Sequence, residues 1–276
     1  MTTTLRPTGP ERAEADGGRA RDYDVCVNGR PVGRVSLGTD ERGGPGAGRI
    51  RALRIDEADR HRGRATVAAL AAEEVLRGWG CRSVGVTVPA AAAAALGLAT
   101  ALGYTEAGRA MSKALTDPPE LAPEYAVRPI TGAGYAAWLA ESVASSVAQR
   151  TAAGTPLDAA RRAVDRSVRV QLPQGAATPG TALRTLDHAG VPVGSLWVAL
   201  RRPHEPGGWV FDVVVHPPYR GRGHGRALLL LAERECLAAG LDRLGLHVVA
   251  GNTPALRLYE SLGYTPTEFR LAKPLL

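Results

Sequence analysis

Residues 60–104 recur at 220–264. Shifted by 160 positions, the two stretches align without a gap, and 16 of 45 positions are identical. Both open on Arg-x-x-Gly, as Arg60-His61-Arg62-Gly63-Arg64-Ala65 and Arg220-Gly221-Arg222-Gly223-His224-Gly225. Both close on the same tripeptide, Leu102-Gly103-Tyr104 and Leu262-Gly263-Tyr264. A repeat of this length predicts one supersecondary plan built twice. The copies differ where chemistry is at stake: Asn252 and Tyr259 stand opposite Ala92 and Ala99. The first inference is therefore a duplicated fold with one functional copy.

The chain's 276 residues allow two domains of roughly 100–200 residues each. Between them lies Asp117-Pro118-Pro119-Glu120-Leu121-Ala122-Pro123-Glu124, whose prolines forbid a regular element. Expected boundaries are 1–116 for the first domain, 117–124 for the linker and 125–276 for the second. In the second half the pattern predicts a strand over 125–130, helices over 133–149 and 157–171, and a hairpin of 181–187 with 191–200. A continuous apolar strand at 209–215, a loop at 220–225 and a helix through Cys236–Leu237 follow. Then come a strand at 244–249, a helix at 253–262 and a closing strand at 265–273. The first half repeats this order, with a hairpin across Asn28-Gly29, a helix from Gly63 and another over the alanine run at 90–95. Arg6-Pro7 matches Arg128-Pro129 at an offset of 122 rather than 160. About 38 residues are therefore missing from the first copy, corresponding to the two helices at 133–149 and 157–171.

Composition excludes several classes. A net charge of +7 invites a nucleic-acid reading, but the basic residues are almost all arginine and are scattered through both halves. Aromatic residues are only 5 %, without the stacking series of single-strand binders. The three cysteines are far apart, form no disulfide framework and match no zinc spacing. No apolar run approaches the roughly 20 residues needed to span a bilayer. The first residues lack the apolar core of a signal peptide, so the expected compartment is the cytoplasm.

The apolar strand, the Arg-Gly-Arg-Gly-His-Gly loop and the apolar helix after it together form a strand–turn–helix anion site. Glycines let the backbone approach a ligand closely, and the amides and dipole of the helix N-terminus then face it. Arg220, Arg222 and Arg226 add positive charge. A Walker loop would need Lys-Ser/Thr where Arg226-Ala227 stands, and the dinucleotide fingerprint lacks its third glycine. On these residues alone, nucleotide, dinucleotide and pyrophosphate-bearing thioester carrier remain open, as does a structural glycine loop that binds nothing.

With Asn252 heading the next helix and Tyr259-Glu260-Ser261-Leu262-Gly263-Tyr264 closing it, the second half resembles the GCN5-related N-acetyltransferase (GNAT) superfamily over about 150 residues. The first half resembles it more loosely, and the tandem arrangement is similar to that of mycothiol synthases. The resemblance implies an α/β fold of two tandem domains, each a mixed, mostly antiparallel sheet flanked by helices, with the first abbreviated. It implies acetyl-CoA as co-substrate. The backbone of Val213, Val214 and Val215 would pair with the pantetheine arm. The amides of Gly221, Arg222, Gly223, His224, Gly225 and Arg226, with Arg220 beside them, would hold the pyrophosphate. Asn252 would hydrogen-bond the pantetheine, and Tyr259 would protonate the departing thiolate.

The acceptor, a small-molecule or peptide amine, must lose a proton before attack. Asp212 is the one carboxylate on the central strand, and strict alternation sets it on the face opposite Phe211 and Val213. It is the expected base, with His216 the second candidate and Glu141 or Glu205 placed to orient a cationic acceptor. The helices at 133–149 and 157–171 and the loop at 201–208 would shape the acceptor pocket. The first copy, lacking those helices, is expected to be a scaffold. No metal, nucleic-acid or membrane partner is expected. The competing reading is a non-catalytic CoA-binding or interaction module.

Overall fold

A computed structural model describes residues 2–14, 18–39, 46–152, 154–202 and 206–275. The chain forms two compact units, each containing a sheet that is antiparallel except at one parallel pair. The first comprises 1–107, 154–160 and 268–276, and the second comprises 108–153 and 161–267.

The first unit contains β1 (Thr3–Pro7), β2 (Arg12–Ala13), β3 (Arg19–Val27), β4 (Arg30–Thr39), β5 (Ala47–Ile55), α1 (Arg64–Gly78), β6 (Ser83–Pro89) and α2 (Ala93–Ala101). Its sheet runs β1-β3-β4-β5-β6, with β5 and β6 parallel, and β2 pairs with β3. Residues 268–274, from the far end of the chain, complete it antiparallel to β6. The hairpin turn at Asn28-Gly29 forms as expected. Both residues take positive φ, 48° and 82°, the combination whose twist matches that of the flanking strands. Helix α1 buries Ala68, Ala72 and Leu76 against Val25, Val35, Leu37 and Val84; their spacing of four makes one face of a helix. Among the described residues, no helix separates β1 from β3, which makes this copy the abbreviated one. The strand β2 has no counterpart in the expectations, because two residues carry no readable alternation.

In the second unit, β8 (Tyr125–Pro129) leads to α3 (Gly132–Ala152) and α4 (Leu157–Gln171). The hairpin β9 (Thr181–His188) and β10 (Val191–Ala199) comes next, followed by β11 (Gly208–Val215) and α5 (His224–Ala238). Then come β12 (Arg243–Val249), α6 (Thr253–Ser261) and β13 (Thr265–Pro274). The sheet order is β12-β11-β10-β9-β8. Residues 108–114 of β7 (Thr105–Ala114) lie antiparallel on the other edge of β12. Leu196 and Val198 of β10 turn one way, into a core with Leu228, Leu229 and Ala232 of α5. Trp197 turns the other way, against Trp138 of α3 and Leu183 of β9. The period of two along β10 thus feeds a different helix on each face.

Each unit carries the same buried polar knot. Glu73 accepts from Tyr104 Oη at 2.9 Å and from Lys273 Nζ at 2.8 Å. Glu233 accepts from Tyr264 Oη at 3.2 Å and from Lys113 Nζ at 2.8 Å. The glutamates and tyrosines follow the offset of 160, whereas each lysine serves the carboxylate of the other repeat.

Candidate active site

Strand β11 does not alternate strictly. Its partners on β10 run Leu196↔Val213 and Trp197↔Asp212, then Val198↔Val210, so Phe211 is an extra, bulged residue. The bulge corrects the expectation that Asp212 and Phe211 occupy opposite faces. Phe211 stacks on Trp197 with centroids 4.8 Å apart. Asp212 also turns towards α3 and accepts a hydrogen bond from Ser142 Oγ at 2.5 Å. Val213 remains on the α5 side.

Below the bulge β11 is paired to β12 only through Gly208, Trp209 and Val210. Val213, Val214 and Val215 keep their β10 partners, but β12 has none of them as neighbours. The backbone edge of these three residues is left open where the two strands part. The same two features recur in the first unit. There Ser36↔Ala52 is followed by Leu37↔Ile50, leaving Arg51 bulged, and β5 pairs β6 only from Ala47 to Ile50. Ala52 is thus the counterpart of Asp212.

The loop after β11 is built for close approach. Gly221 and Gly223 sit at φ 74° and 87°, the left-handed region that disfavours a Cβ. Gly223 caps α5, and the first amide here with a backbone partner is that of Arg226, bonded to Gly223 at 3.0 Å. Among the described residues, the amides of Gly221, Arg222, Gly223, His224 and Gly225 make no backbone hydrogen bond. These are the orphan donors of a helix start, aimed outward with the dipole behind them. Arg220 Nε donates to Val215 O at 3.1 Å, fixing the loop to the strand end. Arg226 donates to Ser261 Oγ at 2.6 Å, and Arg222 is exposed. The side chain of His224 is buried. It shares a hydrogen bond of 2.9 Å with Tyr125 Oη, and its ring lies 5.0 Å from that of His188. Burial, helped by His188 and Arg222, lowers its pKa.

Asn252 caps α6, its Oδ1 accepting from the Ala255 amide at 3.3 Å. Tyr259, on the same helix, is half-buried against the α5 core and lies 6.1 Å from the Tyr264 ring. Burial first, and the Asp212 charge second, push its pKa up to about 12, so the phenol holds its proton at neutral pH. For Asp212, burial raises the pKa to about 6 despite the Ser142 hydrogen bond, and the Glu141 charge adds to the rise. The Asp212 charge thus acts on the Tyr259 phenol as well as on its own proton affinity. His216, at the end of β11, has Nδ1 3.2 Å from Pro192 O. A carbonyl only accepts, so this nitrogen carries the hydrogen. Its Nε2 lies 3.8 Å from Glu141 Oε1. Glu205 lies outside the described residues.

Sequence reading missed Ser142. A serine one turn beyond a tryptophan in a helix carries no signal until the strand it faces is known. Among the described residues there is no cluster suited to a metal ion, and no helix is long and apolar enough to cross a membrane.

Comparison with known proteins gives this arrangement its class. The acetyltransferase (GNAT) family profile matches residues 4–104 and again 159–264. The chain belongs to that family, twice over and in tandem. It is 32 % identical over 106 residues to the uncharacterized N-acetyltransferase YycN of Bacillus subtilis, covering 38 % of this chain and 68 % of that protein. It is 43 % identical over 83 residues to the mycothiol acetyltransferase of Thermobispora bispora, but that match spans only 29 % of this chain and 28 % of its relative. Among solved structures, a tandem GNAT protein from the clavulanic acid biosynthesis pathway shares the fold, with a TM-score of 0.57 and 20 % identity over 100 % of this chain and 99 % of that one. The family is one of acyl-transferring enzymes.

Proposed function

We propose that the second repeat transfers an acetyl group from acetyl-CoA to an amine of a small molecule or peptide, by direct attack in a ternary complex. The observation that supports this most is the Asp212–Tyr259 pair, an acceptor and a donor whose proton affinities the fold sets far apart. The open edge of Val213–Val215 and the orphan amides of the Gly221–Gly225 loop suit a pantetheine arm and a pyrophosphate. Asn252 Nδ2 adds a donor beside them while Oδ1 caps the helix.

Asp212 takes a proton from the ammonium, and the freed lone pair attacks the thioester carbonyl. The C–S bond then breaks, and Tyr259 gives its proton to the departing thiolate. The phenol is re-protonated by the hydrogen that the new amide nitrogen sheds. Protonating Asp212 removes the negative charge that raises the Tyr259 pKa. The base, by doing its work, makes the acid stronger for the step that follows.

The first repeat is proposed to be a scaffold that does not turn over. Ala52, Ala92 and Ala99 replace Asp212, Asn252 and Tyr259. In addition, its loop holds a carboxylate of its own: buried Asp59 pairs with Arg64 and, at 2.9 Å, with Arg30. An internal anion already uses the charge an incoming phosphate would need. We place the activity in the cytoplasm, with the join between the repeats at 117–124. The test is acetyl-CoA-dependent release of CoA across a panel of small amines and amino acids. Turnover in wild type that is lost in Tyr259→Phe and Asp212→Asn supports the reading. Acetyl-CoA binding with no turnover on any amine would point instead to a binding module.

A further inference from the structure

Asp212 is held by α3, a helix with no counterpart among the described residues of the first repeat. Ser142 lies mid-way along α3 and is 5 % exposed. A serine so placed commonly bonds back to its own helix carbonyl; this one spends its single hydroxyl proton on Asp212 Oδ2 at 2.5 Å. The contact depends on the Phe211 bulge, which turns Asp212 towards α3, and on the Trp138–Trp197 packing, centroids 5.9 Å apart, that sets α3 against the sheet. The adjacent residue, Glu141, carries a negative charge that acts on the same carboxylate in the opposite sense. Among the described residues, Tyr259 from α6 senses the Asp212 charge, and His216 at the end of β11 lies 3.8 Å from Glu141.

We propose that α3 positions the base, with Ser142 fixing and stabilising the ionised Asp212 carboxylate and Glu141 opposing it from the neighbouring position. Ser142 is a positioning residue acting through Asp212, and the inference rests on Asp212 being the base. Two successive residues of one helix then tune the base in opposite directions. A hydrogen bond to the charged form favours that form, and a like charge nearby disfavours it.

Carboxyl-carbon NMR titration of the full chain, labelled at aspartate and assigned with Asp212→Asn, measures this without any acceptor. Asp212 in wild type is expected to titrate near 6, Ser142→Ala to move the midpoint up by about one unit, and Glu141→Gln to move it down. Ser142→Thr, which keeps the hydroxyl, restores the wild-type midpoint. A purely structural serine would change thermal stability and leave the midpoint where it was. That result, in a folded Ser142→Ala protein, overturns the proposal. The base reading fails separately: Asp212→Asn would then release CoA from acetyl-CoA and the best amine of the panel at the wild-type rate, whatever the titration gives.

Discussion

Burial and charge act together on Asp212, and the balance has consequences for rate and for stability. Since its pKa is raised to about 6, the carboxylate is available as a base only above that pH. We therefore expect kcat/KM to fall tenfold per unit as pH drops below about 6, and this limb to disappear in Asp212→Asn. Stability runs the other way. A raised carboxylate pKa favours the protonated folded state, so stability is fully present below the unfolded value near 4 and declines as pH rises to 6. Asp212→Asn keeps an oxygen for Ser142 and removes the charge, so it should stabilise the protein by roughly 1–2 kcal/mol at pH 7.5, after discount for partial exposure. Denaturant unfolding at pH 4 and pH 7.5 checks the sign, because the gain must vanish at the lower pH. Tyr259→Phe should lower kcat by roughly 10²–10³ with little change in the Kd for acetyl-CoA, as expected for a group acting on the leaving thiolate. The Tyr259 phenol should itself titrate lower in Asp212→Asn than in wild type, readable from its ultraviolet absorbance. An unchanged titration would remove the coupling from the mechanism.

Among the elements, the loop and helix starts carry the clearest contrast between the copies. Gly223 holds a left-handed φ that a side chain resists, so Gly223→Ala should raise the Kd for acetyl-CoA about tenfold by straining the loop, an effect worth about 1.4 kcal/mol. The matching Gly63→Ala should leave that Kd unchanged if the first repeat is the proposed scaffold, its Asp59 already paired with Arg64 and Arg30. Titration calorimetry on both variants decides. Most elements were legible beforehand, because long runs with a period of two or 3.6 declare themselves. Helix α4 spans Leu157–Gln171 as read, and α6 ends one residue early. The bulge at Phe211 leaves no mark in the sequence: a strand apolar on both faces gives no sign of where its register slips, so strict alternation sets Asp212 opposite Phe211, whereas both turn to the α3 side. The loss of pairing beyond Val210 has no signal in the residues Val213–Val215 themselves; only the family resemblance singles them out. The Ser142 contact and the pairing of Asp59 with Arg30 and Arg64 depend on neighbours that no local pattern names.

For the molecule as a whole, the repeat and the compact units do not coincide. The last strand of each repeat is counted with the other's unit, and each exchanged lysine reaches a buried glutamate there. Removing one partner strands a buried charge. Lys273→Met should therefore cost about 2–3 kcal/mol after allowing for the partial exposure of the lysine, and Lys113→Met a similar amount. Residues 1–116 expressed alone lack the strand at 268–274 and Lys273, and should unfold at lower denaturant than the intact chain. The sequence offset of 160 revealed the duplication but hid this exchange, because pairing between distant strands leaves no trace in the spacing of either copy.

One repeat is proposed to do the chemistry while the other supports it. Isothermal titration of acetyl-CoA into the intact protein tests this most directly. One site per chain is expected, kept in Tyr259→Phe and Gly63→Glu and abolished by Gly223→Glu. Two sites, or a single site lost with Gly63→Glu and kept with Gly223→Glu, would contradict it.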